Sequence, residues 1–461
     1  MEHCLDGGVW AQREFGSARL GDKRRTQRLV RVASGAANAV GAALSSVCGK
    51  SGAQTVSRLL DCQETTLESV TKPHIVETRK RSSTCGRVLA IQDTTVLDFT
   101  THSSVKGIGP VTTAEHSRGL LMHTVLCVSE DRVPLGILGL QIWARDVSVR
   151  GCAKDRRKRS VYEKESRKWL VGLKQAQQTI AEGQKLLVIG DRESDIYALF
   201  VAPRQPGVDL LVRVAHDRAV IDTEYGYMRD ALKNSHIIGT HEVEIPRQGS
   251  RAKRLAKLDV RVARVSVQAP RNGRRDSSNC SVEVSLIWAL ERDAPEKVQP
   301  LDWTLLTTEV VDSHESAVEM LRCYSARWII EEFHHVLKSG CNVEKMQFDT
   351  VDRLKPAVGV LAIVAWRIIH LTKQARSRPE LDVGKVASKQ EAAVLSKWLQ
   401  SQGEKHCEIR TVRDFAIGLA RLGGFQGRKS DGMPGTQTTW RGLRSLEILV
   451  QGYRLAAPHD L

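Results

Sequence analysis

Two aspartates close short apolar runs, RVLAIQD (87–93) and KLLVIGD (185–191), and a glutamate stands in CYSARWIIEEFHHVLKSG (323–340). The carboxyl end of a buried strand is where an α/β sheet presents ligands and catalytic groups. Either aspartate alone is a weak signal, because acids after strands also make turns and caps. The glutamate segment sharpens the case. Read as one helix at about 100° per residue, Tyr324, Arg327, Glu331 and Lys338 fall within an arc of about 60°. Arg327 and Glu331 are also an i,i+4 pair, so a surface ion pair is the plain alternative. The neighbours Trp328, Ile329 and Ile330 predict a partly buried helix, where a charged face is costly unless something polar lies against it. Gathered together, Asp93, Asp191 and Glu331 would repel one another and call for divalent cations. Hard oxygen ligands select magnesium or manganese, and two such ions activate water and stabilise a leaving oxygen in phosphodiester cleavage. Cations on the Tyr-Arg-Glu-Lys face would then hold the phosphates of the cut strand.

The elements that must position these groups follow from the pattern. The first 75 or so residues read as helical, with a basic run RLGDKRRTQR (19–28) in which Asp22 caps the following helix. Lys23, Arg24, Arg25 and Arg28 then sit on its first turns. Positive charge there opposes the helix dipole, so it serves something else; a solvated charged face is the alternative. From residue 87 the order is strand, hairpin (HTVLCVSED, 123–131, with PLGILGLQIWARD, 134–146), basic loop AKDRRKRS (153–160), helix (162–181), strand, and strand DLLVRVAH (209–216). That order predicts a mixed α/β sheet. Residues 217–305 are β-rich and interrupted by the basic turns RQGSRAKR and RNGRRDSSN, which predicts a β-stranded insertion. Helices return from about 314 to 375, then a polar linker ARSRPELDVGK, then a helical end around a Gly-rich loop, LGGFQGRKSDGMPG. Three domains are expected: 1–75 helical, 76–375 carrying the acids, and 376–461 helical.

The bulk composition narrows the partner. The chain has 461 residues and a net charge of +16, which favours a polyanion through counterion release. A membrane surface is disfavoured: the longest apolar run, Pro356 to Trp366, falls short of the roughly 20 residues that span a bilayer. The opening residues lack the basic and apolar regions of a signal peptide. Ten cysteines include no C-x-x-C pair, which argues against a zinc site and, without a secretion signal, against a disulfide framework. Reduced thiols in a cytoplasmic protein are expected.

With these motifs in order, the chain resembles the bacterial DDE transposases of the insertion-sequence-four family, Tn-five-like branch. The resemblance runs from WAQREFGSARLGDKRRTQRLV to ARLGGF. Its most specific part is Y-x2-R-x3-E-x6-K, met by Tyr324, Arg327, Glu331 and Lys338, with IQDTT and GDRESDIY carrying Asp93 and Asp191. It implies a ribonuclease-H-like catalytic core with a β-stranded insertion, between a helical domain that binds transposon ends and a helical dimerisation domain. It implies two bound Mg2+ or Mn2+ ions at Asp93, Asp191 and Glu331. Cut-and-paste chemistry follows: a nick, a hairpin on the transposon end, its opening, and joining to target DNA. A flipped base would stack on Trp303, Arg213 would contact DNA, and the stretch bearing Lys23, Arg24, Arg25 and Arg28 would bind the ends. The implied partners are double-stranded DNA (transposon ends and target) and a second copy of the chain in a synaptic complex, in the bacterial cytoplasm and at the nucleoid. Leu120-Leu121, Tyr197 and His335 depart from the pattern. A nuclease of the same fold without strand transfer, and a DNA-binding inhibitor of transposition, are the alternatives; terminal inverted repeats beside the gene would separate them from a transposase.

Overall fold

The computed structural model describes residues 7–102, 104–112, 114, 116–146, 164–221, 223–245, 254–270, 281–296, 298–404, 407–428 and 431–456. The basic loop at 153–160 and nearly all of the two basic turns anticipated in the insertion lie outside them. In chain order the helices are α1 (Gly7–Phe15), α2 (Lys23–Asn38), α3 (Gly52–Leu60), α4 (Leu67–Ser82), α5 (Arg167–Thr179), α6 (Tyr197–Phe200), α7 (Met228–Asn234), α8 (His314–Ser325), α9 (Trp328–His335), α10 (Val351–Ser377), α11 (Lys389–Ser401), α12 (Val412–Leu422) and α13 (Thr436–Ala456). The strands are β1 (Arg87–Asp98), β2 (Gly109–Pro110), β3 (Arg118–Ser129), β4 (Pro134–Trp143), β5 (Lys185–Gly190), β6 (Val208–Arg213), β7 (Val220–Ile221), β8 (Ile237–Ile245), β9 (Arg254–Val267), β10 (Val282–Glu291) and β11 (Asp302–Thr307). They fall into two compact units, one of residues 1–85, 94–152 and 329–461, the other of 86–93 and 153–328. Strand β1 runs through both.

In the first unit the helical N-terminal region continues to Ser82, past the expected 75. The expected hairpin forms: β3 pairs antiparallel with β4, with a bulge after Val125. Helix α10 is its central core element. The apolar run anticipated at 356–366 extends to a 27-residue helix, long and apolar enough by composition to cross a membrane, yet 89% of its most apolar window is buried inside the protein. Trp366 Nε1 donates to Pro134 O at 3.0 Å, which fastens α10 to the hairpin. Helix α1 is locked in by a buried polar group: Glu14 accepts from Arg81 at 2.7 Å and lies 2.6 Å from His74 Nδ1. His74 Nε2 accepts from the Ile137 N–H, so Nδ1 carries the ring proton towards Glu14. Burial works against the Glu14 anion, but Arg81 and His74 outweigh it and hold the carboxyl far below its ordinary range.

The second unit is built on three parallel strands. β1 pairs with β5 and β5 with β6, and each is a near-continuous buried run, as parallel strands covered on both faces require. α5 covers β5, and the missing side chain of Gly190 leaves room for Ser194. β6 then pairs antiparallel with β11, β11 with β10, and β10 with β9. The expected β insertion is therefore present as β7 to β10, and β11, which overlaps its expected end, returns to the core strands. A β3–β4 hairpin in one unit and a β1–β5–β6 parallel set in the other, with β1 common to both, make the ribonuclease-H-like mixed core that the resemblance implied.

Candidate active site and nucleic-acid surface

Asp93 and Asp191 follow the last register pair of neighbouring strands: the β1–β5 pairing runs to Ile91 opposite Ile189, each acid lies two residues further on, and the charge of Asp93 acts on Asp191. Asp191 terminates its strand as expected: it leaves β5 and caps the turn Arg192–Ser194 by accepting the Glu193 N–H at 2.9 Å. Asp93 does not. β1 continues through β-branched Thr94, Thr95 and Val96 to Asp98, so Asp93 stands inside the strand, at the step from buried to half-buried residues. Burial, then the negative charge of Asp93, push the Asp191 carboxyl above its usual range. A buried carboxylate pushed up further by a neighbouring negative charge is what a divalent cation relieves. The donor set is all oxygen, so this pair fits a hard ion such as magnesium or manganese. Among the described residues no three or more His, Cys, Asp or Glu side chains gather closely enough to hold a metal by themselves.

Around the pair, the second unit places Tyr324, Arg327, Arg213 and Trp303. Arg327 draws the Asp191 carboxyl down, against burial and Asp93. Tyr324 is buried, and that burial raises its phenol; Arg327 and Arg213 oppose the rise and Asp191 adds to it. Its ring meets Trp303 edge to face, with centroids 5.8 Å apart. Trp303 is half-buried on β11, two residues before the Leu305–Arg213 register pair. Arg213 donates from Nη2 to Asp302 O at 3.1 Å, and its buried Nε has no hydrogen-bond partner among the described residues.

The single helix read across 323–340 is not one helix. α8 ends at Ser325, Ala326 and Arg327 turn, α9 runs from Trp328 to His335, and Val336–Gly340 is a π-helical turn. The uniform 100° spacing therefore breaks at the turn and again at the π segment, and the arc of about 60° does not describe the four residues. Arg327 at the turn instead stacks on Trp328, 5.3 Å from its ring centroid. In the first unit Glu331 is an exposed residue in the first turn of α9. Lys338 lies in the π turn, 3.7 Å from Glu344, and Glu344 also accepts the Asp98 N–H at 2.9 Å.

At the other end of the first unit Asp22 does cap α2, accepting the Arg24 N–H at 2.9 Å. The four expected basic residues there do not share one environment. Arg25 turns to Glu64 at 2.9 Å and to Leu20 O, whereas Lys23 borders a groove with Arg19, and Arg24 and Arg28 line a separate hollow.

Two groups escaped the reading of the sequence. Arg31 and Arg58 join Arg24 and Arg28 in that hollow; Arg31 was legible as the next step of an i, i+4, i+7 stripe, but Arg58 comes from another helix. Asp195, inside the GDRESDIY motif, is buried and accepts from the backbone N–H groups of Ala215 (2.7 Å) and His216 (2.9 Å) and from Arg218 Nη1 (2.5 Å). It pins the turn bearing Asp191 to the loop after β6, and nothing local in the sequence marks that contact.

A ribonuclease-H-like core with Asp93 inside β1 and Asp191 directly after β5 defines a class of phosphodiester-processing enzymes. Three family models match the chain: a transposase DNA-binding domain over 8–60, a transposase DDE domain over 164–367, and a transposase Tn5 dimerisation domain over 363–460. The chain belongs to the DDE transposases of the Tn5-like type. Asp191 and Glu331 fall inside the DDE match, and Asp93 precedes it. Among solved structures, a piggyBac transposase synaptic complex with hairpin DNA matches at 10% identity and a TM-score of 0.31, over 81% of this chain. The chain spans about half the length of that protein, 55%.

Proposed function

We propose that this transposase moves DNA by a cut-and-paste route, cutting at the element's ends with Asp93, Asp191 and Glu331 and joining the freed 3′ end to a target. The observation that carries the reading is Asp191, whose carboxyl is raised by burial first and by the charge of Asp93 second, with Arg327 opposing. Glu331 is assigned as the third acid from the Y-x2-R-x3-E-x6-K signature. Magnesium or manganese, two ions in the full assembly, would be held by these carboxylates and would supply Lewis acidity at the phosphate oxygens.

The chain's own residues do the rest. Arg327, stacked on Trp328, and Arg213, held through Nη2 by Asp302 O, take phosphates of the cut strand. Lys338 adds a further phosphate contact. Trp303 takes a base turned out of the stack, which supports a hairpin intermediate; its half-burial leaves part of the ring accessible. Lys23, Arg24, Arg25 and Arg28 belong to the end-binding domain, about 1–75. The core spans about 76–375 with its insertion at 217–305. The last part, 376–461, forms the homodimer of the synaptic complex. The setting is the bacterial cytoplasm, at the nucleoid.

The test is a time course on end-labelled DNA carrying the element's own termini, with magnesium, resolved on a denaturing gel. Nicked, hairpin and flush-cut products should appear in that order. A nick with no hairpin and no joined product would favour the hydrolytic nuclease of the same fold instead.

A further inference from the structure

Helix α9 carries Glu331 but has only eight residues, and a π-helical turn follows it directly. Two turns of helix are not stable alone, so contacts outside the helix must decide where its side chains lie. Ile329, Ile330 and Phe333 are buried, and apolar burial is non-directional. Two polar contacts give the helix a direction. Glu332 accepts from Lys373 Nζ of α10 at 2.6 Å. One turn after Glu331, the buried His334 sets its Nε2 3.4 Å from Thr124 Oγ1 of β3. The residue before Thr124 is His123, also buried, and its Nδ1 lies 2.9 Å from Thr94 Oγ1. Thr94 stands in β1, the neighbour of β3, directly after Asp93. Successive side chains of a strand point to opposite faces, so His123 and Thr124 serve β1 and α9 from the two faces of β3. Buried this deeply, neither imidazole can touch DNA, and neither is a catalytic residue.

We infer that His123 and His334 are positioning residues for the catalytic acids, acting through the consecutive pair His123–Thr124 of β3. His123 holds β1 at the residue next to Asp93, and His334, on Thr124, holds α9 one turn from Glu331. The inference rests on the assignment of Asp93 and Glu331 as acids of the transposase, and it adds the residues that hold their elements in place. Metal ligands must be kept within about 0.5 Å of their working geometry. Apolar packing alone leaves a two-turn helix free to slide or turn by that much, whereas a hydrogen bond to one fixed hydroxyl does not. The Glu332–Lys373 pair limits the same helix from α10, so α9 is gripped by polar contacts to two different elements.

The experiment uses the full chain without DNA and Mn2+ as the probe, with uptake followed by the loss of the free-ion signal in electron paramagnetic resonance. Thr124→Val and Thr94→Val keep the shape of each side chain and delete its hydroxyl. Loss of an outer partner of a metal ligand commonly costs about 10–100-fold in affinity, and these hydroxyls act one bond further out, so each variant should need about three- to tenfold more manganese. Thr124→Ser and Thr94→Ser, which keep the hydroxyl, should bind close to the parent. His334→Phe should match Thr124→Val, and the double variant should be no weaker than either, because both remove the same bond. Thr372→Val is the control for lost stability: it removes a buried hydroxyl that donates to Ile368 O within α10, and should lower the melting temperature with manganese uptake unchanged. The positioning role is overturned if both valine variants follow that control, melting lower and binding manganese as the parent does. It is also overturned if the serine variants bind as weakly as the valine ones, or if the losses from His334→Phe and Thr124→Val add. Failure of the transposase reading looks different: the parent would take up manganese at a site that Asp191→Asn abolishes, and would cut no DNA. Uptake that Asp191→Asn leaves intact would remove the acid site and the positioning role together.

Discussion

The acid pair and the arginine hollow are held in opposite ways. Asp93 and Asp191 are fixed by backbone: each lies two residues past the last register pair of β1 and β5, and Asp191 is held further by its own cap on the next turn. Asp191 is held there at a cost, an upward push from burial first and from the charge of Asp93 second. The arginines are fixed only at their Cα positions, on the face of α2 and the last turn of α3, with side chains exposed or half-exposed. The difference matches the tasks. Phosphodiester chemistry needs ligands held to fractions of an ångström, whereas backbone binding needs charge near a polyanion and tolerates side-chain freedom. One site concentrates its effect in single residues, the other spreads it.

The sharpest way to break the comparison is at the acids. Asp191→Asn keeps the shape and the cap but removes the charge, and should lower cleavage at least about a thousandfold, as loss of a central catalytic group does. Binding of the same DNA should stay within about twofold, because the arginine hollow is in a different unit. Gel analysis of cleavage beside anisotropy of binding checks both. Equal loss in the two assays would mean that the acid pair and the DNA surface are not separate devices.

The two regions were also legible to different degrees. The strand before Asp191 and its end could be read from KLLVIGD, because a short apolar run rich in β-formers stops at the acid. Asp93 was expected at the end of its strand and stands inside it. Its strand continues, since TTV favours β structure as much as the run before it and nothing local marks the burial step. The 323–340 segment misled because periodicity assumes a uniform helix, and neither the turn at Ala326–Arg327 nor the π segment at Val336–Gly340 alters the apolar pattern. The insertion was legible from its alternation, but the return of β11 to β6 is a long-range pairing. Arg58 and Asp195 were missed for that same reason: each acts through a partner more than twenty residues away.

A second break lies at the aromatic contact. Stacking a base on an aromatic is worth about 1–3 kcal/mol, so Trp303→Ala should slow hairpin formation by roughly ten- to a hundredfold. The first nick should be almost unaffected. Denaturing gels of an end-labelled time course separate these steps. Loss of the first nick would show that Trp303 serves only to pack against Tyr324.

Asp195 tests how far the rigidity of the acid site extends. It touches no reacting group, and we assign it as a positioning residue acting through the turn that bears Asp191. Outer partners of metal ligands commonly change metal affinity or activity by about 10–100-fold. Asp195→Asn keeps the shape but loses the charge facing Arg218, so about ten times more magnesium should be needed for half-maximal cleavage. DNA affinity should be unchanged. Asp195→Glu, which keeps the charge, should recover part of the metal response. A lower melting temperature with an unchanged magnesium titration would reduce Asp195 to a fold-holding role.

The smallest expected effect is thermal, and it has the opposite sign to the loss of activity. Asp191 has its carboxyl pKa raised in the folded chain, by burial first and Asp93 second. A raised carboxyl favours the neutral form in the fold, so its ionisation costs stability, and the cost is present once pH exceeds the folded pKa. Lowering pH through that value relieves the cost, while it removes the charge that a divalent ion needs. Without metal at neutral pH, Asp191→Asn should therefore melt slightly higher than the parent. The gap should shrink as pH falls into the carboxylate range, where the parent becomes neutral too. Added magnesium should raise the parent's melting temperature and leave the variant's nearly unchanged, because bound ligand stabilises only the state that binds it. Differential scanning calorimetry in chelator and in magnesium, at neutral and acid pH, reads all of these. If the variant melts below the parent in chelator at neutral pH, the two acids do not strain the fold and the electrostatic basis for placing a metal there is lost.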